Sequence, residues 1–103
     1  MSPPEKKRHS IDDLKSIVAP VAEEYGVVRV YLFGSVARGD YNDGSDYDFY
    51  IELDTVWDLI KLSGFFLDLR QAIGHDIDLL DSISIDPDFL SVIRSEGVIV
   101  YEG

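Results

Sequence analysis

Asp46 and Asp48 are separated by a single tyrosine, and the segment leading to them, Gly34 to Asp48, reads Gly-Ser-Val-Ala-Arg-Gly-Asp-Tyr-Asn-Asp-Gly-Ser-Asp-Tyr-Asp. Side chains two apart on an extended chain point to the same face, so this pair would present two carboxylates side by side at a strand edge. Hard divalent cations are gripped in this way. A bound Mg²⁺ would offset a like-charge repulsion that otherwise raises one carboxyl's pKa or weakens the fold. Gly34 allows the backbone to approach a ligand closely, and the hydroxyl and amide of Ser35 can donate to phosphate oxygens, especially where a helical turn begins. Arg38 offers a forked cation, either to phosphates or, the reading we favour, to a neighbouring aspartate that holds the loop. Phosphoryl or nucleotidyl transfer on two metals needs one more carboxylate. The run Asp76-Ile77-Asp78-Leu79-Leu80 supplies two candidates. Its alternation sets Ile77 and Leu79 on an apolar face and both acids on the other, and periodicity alone does not choose between them.

These groups must be positioned by the elements around them. Ser10 with Asp13 reads as a helix N-cap, followed by Ile11, Leu14, Ile17, Val18, Val21 and Tyr25 at helical spacing, so a first helix is expected to about Gly26. Pro20 inside it costs a hydrogen bond and a clash, about 3 kcal/mol, which predicts a kink or a restart. Val27 to Phe33 reads as a buried strand, Gly34 to Ser45 as a loop with one short helical turn, and Tyr47 to Leu53 as a second strand. Thr55 and Asp58 repeat the cap spacing. Val56, Leu59, Ile60, Phe66, Leu69 and Ile73 then give an apolar stripe that Gly74 terminates. Asp76 to Asp81 reads as a third strand, Asp86-Pro87 opens a helix through Arg94, and Val98 to Tyr101 closes the chain as a fourth strand. The order predicts one α/β domain over residues 11–103, a small mixed sheet with helices packed mainly on one face, behind a flexible tail over residues 1–10.

Composition narrows the chemistry. Nine basic against twenty acidic residues leave a net charge of −11. That charge repels a phosphate backbone and argues against nucleic-acid binding, while suiting divalent cations or a basic protein partner. The chain contains no cysteine, which excludes a disulfide framework, a thiolate metal site and a cysteine nucleophile. Met1 to Ser10 lacks the apolar stretch of a secretion signal, and no segment approaches membrane-spanning length, so a cytoplasmic protein is expected.

Gly34-Ser35, ten intervening residues, Asp46-x-Asp48 and a later hydrophobic-Asp-Leu strand together resemble the nucleotidyltransferase superfamily that includes the DNA polymerase β palm, in its minimal, stand-alone branch. Arg38-Gly39 and Ser45 also match the form common among prokaryotic minimal members, and the resemblance covers about Tyr25 to Tyr101. It implies that Gly34 and Ser35 contact a triphosphate, with Arg38 and Ser45 beside them. It also implies that Asp46 and Asp48 bind two Mg²⁺ ions and that Asp78, in preference to Asp76, completes the metal site and assists the attacking hydroxyl. A chain of this length is expected to carry no further domain to hold an acceptor. Minimal members resemble antitoxins that transfer AMP from ATP to a tyrosine of a HEPN-type ribonuclease toxin, which implies such a toxin as partner, in a hetero-oligomer. The alternatives are an antitoxin that acts by binding alone and transfer to a small molecule.

Other conspicuous residues have simpler readings. Asp40 and Asp43 suit tight turns. His75 suits a cap or surface position, Trp57, Phe65, Phe66, Tyr47, Tyr50 and Tyr101 suit packing, and Asp81, Asp86 and Asp88 suit a solvated capping run.

Overall fold

The computed structural model describes residues 9–39 and 46–103. Ser45, together with Asp40 and Asp43, therefore lies outside the described residues. Eight elements follow in order: α1 (Ile11–Tyr25), β1 (Arg29–Phe33), α2 (Gly34–Arg38), β2 (Tyr47–Glu52), α3 (Leu59–Ile73), β3 (Ile77–Asp81), α4 (Pro87–Glu96) and β4 (Val98–Glu102). They form the expected mixed α/β arrangement.

Local signals account for most boundaries. The Ser10 hydroxyl accepts from the Asp13 amide at 3.1 Å, and Gly26 ends α1 in the left-handed region at φ 76°. Asp58 caps α3 by accepting from the Lys61 amide at 2.7 Å, and Asp86 caps α4 by accepting from Asp88 at 2.8 Å. α1 runs through Pro20 without restarting. Its apolar face, Leu14, Val18 and Ala22, is fully buried, and burial on that scale outweighs the loss of one helical hydrogen bond.

The sheet order is β3-β2-β1-β4, with β1 antiparallel to both neighbours and β2 parallel to β3. A parallel pair needs a crossover, and α3 provides it. Alternate residues of the strands divide into two faces. Val30, Leu32, Tyr47, Phe49, Ile51 and Ile77 join the main core beneath α1 and α3. Tyr31 and Tyr50 face the opposite side, where Ile93 and Leu90 of α4 cover them.

One expected stripe is wrong in its first part. Val56 lies ahead of the helix and is 71% exposed, and Leu59 and Ile60 are 76% and 86% exposed. The buried face of α3 is Phe65, Leu69 and Ile73. Thr55 precedes the helix, and Asp58 alone caps it. Among the described residues no helix is long and apolar enough to cross a membrane.

His9 and Ser10 are ordered parts of the fold. The His9 amide donates to the Tyr47 hydroxyl at 2.9 Å, its ring Nε2 lies 2.6 Å from the Ile73 carbonyl oxygen, and Ser10 is the α1 cap.

Candidate active site

The end of β1, the start of β2 and the first half of β3 meet on the sheet face opposite α1 and α3. Phe33 pairs with Asp48 across the antiparallel ladder, and Asp48 pairs with Asp78 across the parallel one. Residues directly opposite each other in a ladder share a face. Because Tyr47 and Ile77 turn into the core, Asp48 and Asp78 must both turn away from it. The register thus sets Asp78, and not Asp76, opposite Asp48. Asp76 is drawn to Arg70, with an oxygen 2.9 Å from the guanidinium, and its side chain is 70% exposed. Asp78 instead hydrogen-bonds to Asp48.

That contact perturbs Asp48. Partial burial, the charge and hydrogen bond of Asp78 and the charge of Asp46 together push its carboxyl from 3.8 up to about 6, while Arg38 pulls in the opposite direction. Two carboxyls at hydrogen-bonding distance share a proton when nothing else neutralises them. Arg38, in the last turn of α2, is close enough to Asp48 to relieve part of the repulsion.

Gly34 forms the opposite wall. It sits at φ 76°, and a Cβ built on it would overlap the Asp48 carboxylate. No side chain caps the start of α2, and Ser35 is half-buried in its first turn. The structure therefore brings together Gly34, Arg38, Asp46, Asp48 and Asp78, with Ser35 adjoining. As the side chains stand, no three His, Cys, Asp or Glu residues among the described residues form a cluster tight enough to hold a metal ion.

The remaining polar and aromatic groups have structural partners. His75 packs edge-on against Tyr47 and His9, with ring centroids 5.4 and 5.7 Å away. Phe65 is buried, with Trp57 and Phe66 packed against the same core. Asp81 caps a turn by accepting from the amides of Ile83 and Ser84. A group not anticipated from sequence lies on the α4 side of the sheet, where Arg29 bridges Glu52 at 3.0 Å and Glu102 at 3.1 Å. The three residues are scattered along the chain, and only the strand register brings them together.

A sheet edge thus carries an Asp-x-Asp pair, with a third acid on the adjacent parallel strand and Gly34 packed against Asp48. Residues 15–103 match the family described as polymerase beta, nucleotidyltransferase. The chain belongs to that family and is a nucleotidyltransferase. A Methanocaldococcus jannaschii protein assigned as a protein adenylyltransferase, MJ0435, is 31% identical over 89 residues, covering 86% of this chain and 96% of that one. Among solved structures, a toxin–antitoxin complex with AMP-PNP superposes with a TM-score of 0.75 at 21% identity, over 86% of this chain and 73% of that one. A complex of a tri-AMPylated Shewanella oneidensis HEPN toxin with its MNT antitoxin superposes with a TM-score of 0.71 at 18% identity, over 91% and 74%. At these identities the two structural likenesses establish the fold.

Proposed function

We propose that this protein transfers AMP from ATP to a hydroxyl, a tyrosine phenol, of a HEPN-type toxin in the cytoplasm, and thereby acts as that toxin's antitoxin. The observation that carries the reading is the pairing of Asp48 with Asp78 in register, next to a glycine with no room for a side chain. The names of the relatives support the acceptor class, since a Thermococcus cleftensis relative is named protein adenylyltransferase MntA and one solved complex contains an AMPylated HEPN toxin. ATP as donor is supported by the AMP-PNP in a complex of the same fold.

The residues suit divalent cations. Asp46, Asp48 and Asp78 are hard oxygen donors, and the raised Asp48 pKa marks a repulsion that a cation would remove by replacing the shared proton. These three acids would hold Mg²⁺, two ions by analogy with two-metal transferases, and when bound the ions supply charge stabilisation for displacement at phosphorus. Gly34 leaves the room that the Asp48 carboxylate occupies. Ser35 and its amide donate to the triphosphate, Arg38 contributes a contact at the same turn, and the family resemblance assigns Ser45 to nucleotide binding as well. The acceptor oxygen bonds to the α-phosphorus, the bond from that phosphorus to the bridging oxygen breaks, and pyrophosphate leaves with it. The phenolic proton departs as the oxygen attacks, and Asp78 is the residue assigned to receive it.

A second reading, neutralisation by binding without chemistry, is favoured by the acidic surface, −11 in net charge, which suits a basic partner. One experiment separates the two. The chain is incubated with Mg²⁺, α-labelled ATP and a purified cognate HEPN protein, and the product is weighed by intact mass spectrometry. A gain of whole AMP units, absent with Asp46→Asn, supports transfer. Equal labelling by that variant excludes it, and full protection of cells by Asp46→Asn would favour binding alone.

A further inference from the structure

α3 carries apolar side chains on a face that the fold leaves uncovered. Two adjoining hollows of about 540 and 220 Å³ lie between α3 and the segments carrying β3 and the turn after it, and both are lined by Leu59 and Leu62. The first extends to Leu67 and Asp78, the second to Asp81 and Ile83. Leu59 is 76%, Leu67 58% and Ile83 51% exposed. Contiguous exposed apolar groups of this kind mark an interaction surface. β3 is also an end strand of the sheet, paired only with β2, and an unpaired strand edge is a template for another chain.

The occupant can be argued from charge and position. Asp54, Asp58, Asp78 and Asp81 stand exposed or half-exposed around the groove, on a chain of net charge −11. A second copy would bring the same acidic rim against itself. An apolar segment flanked by basic residues fits instead. Asp78 is among the residues lining the first hollow and is hydrogen-bonded to Asp48 in the candidate active site, so the hollow and the site, on opposite faces of the sheet, adjoin at β3.

We propose that the α3/β3 groove is the docking surface for the acceptor protein, which seats an apolar, basic-flanked segment against Leu59, Leu62 and Leu67 and so delivers its hydroxyl beside Asp78. This rests on the transferase reading above. Docking would also explain why Leu59 and Ile60, at the start of α3, are apolar and yet 76% and 86% exposed.

The test measures binding of a purified cognate HEPN protein to the chain by calorimetry, alongside the melting-temperature rise caused by Mg²⁺ and AMP-PNP. The double variant Leu59→Asp/Leu67→Glu changes two exposed positions, and Asp suits the first turn of a helix. It is expected to bind the HEPN protein at least about tenfold more weakly, as loss of interface anchors does, while keeping the parent's nucleotide-induced rise. Val92→Glu, on α4 and 45% exposed, is expected to bind like the parent. Unchanged binding by the double variant, or a loss confined to Val92→Glu, would overturn the docking site while leaving the transferase reading intact. A parent chain that self-associates through the groove, with the double variant monomeric, would make the occupant a second copy and overturn it too. Failure of the parent to bind any HEPN protein would defeat the toxin reading itself, and the docking assignment with it.

Discussion

Gly34 has no room for a side chain because the Asp48 carboxylate already occupies the space that its Cβ would take. Its backbone, at φ 76°, independently disfavours an L side chain. Gly34→Ala should therefore lose roughly 1–2 kcal/mol from the left-handed conformation alone, and more if Asp48 is forced to turn away. For a domain of this size that lowers Tm by at least about 4–8 °C. We expect AMP transfer to fall by more than about tenfold, since a small displacement of a catalytic group has large effects. A variant with the parent's Tm and transfer rate would show that the contact is dispensable.

Asp48→Asn separates stability from chemistry. In the metal-free protein Asp48 is destabilised in its charged form by burial, Asp78 and Asp46. Neutralising it should raise the Tm measured in EDTA above pH 7, while abolishing transfer. A lower Tm in EDTA would mean that the carboxylate has a compensating partner after all.

The same group sets a pH dependence whose sign can be worked out. Asp48 has its pKa raised from 3.8 to about 6, so between those values the folded protein holds a proton that the unfolded chain has released. Its contribution to stability is fully present below about pH 4 and is lost as pH rises through 6. Because a cation must displace that proton, Mg²⁺ should bind more tightly above pH 6 than below it. The Mg²⁺-induced Tm increase, measured with AMP-PNP present, is expected to be larger at pH 7.5 than at pH 5. The opposite order would remove Asp48 from the cation site.

Much of this arrangement was legible in the residues. Caps at Ser10 and Asp86 and the stop at Gly74 are local events, governed by neighbouring amides and by backbone freedom, and each is where the spacing puts it, whereas the α3 cap falls at Asp58 and not at Thr55. The Asp-x-Asp pair was legible for the same reason, since strand period is also local. The extent of the α3 stripe was not. Periodicity says which residues share a face, but not whether anything lies opposite, and opposite Leu59 the fold provides no partner. Asp76 and Asp78 are equivalent by alternation and differ only through the β2–β3 register, a non-local pairing. The Gly34–Asp48 contact likewise joins residues whose closeness depends on a ladder, so Gly34 read only as a generic site of close approach.

Asp76 and Asp78 should accordingly respond differently to the same change. Asp76→Asn breaks an exposed ion pair with Arg70, worth at most about 1 kcal/mol, and should keep the parent's transfer rate. Asp78→Asn, which removes a charge that repels Asp48, should keep or raise the Tm measured in EDTA above pH 7 and remove transfer. Equal loss in both variants would show that Asp76 also serves the site.

The proposed binding of cations by Asp46, Asp48 and Asp78 can be measured without an acceptor. Mn²⁺, titrated into the protein with AMP-PNP and followed by electron paramagnetic resonance, should be taken up by the parent and bound at least about tenfold more weakly when any one of the three is changed to Asn. Parent-like Mn²⁺ uptake by Asp48→Asn and Asp78→Asn would contradict the site.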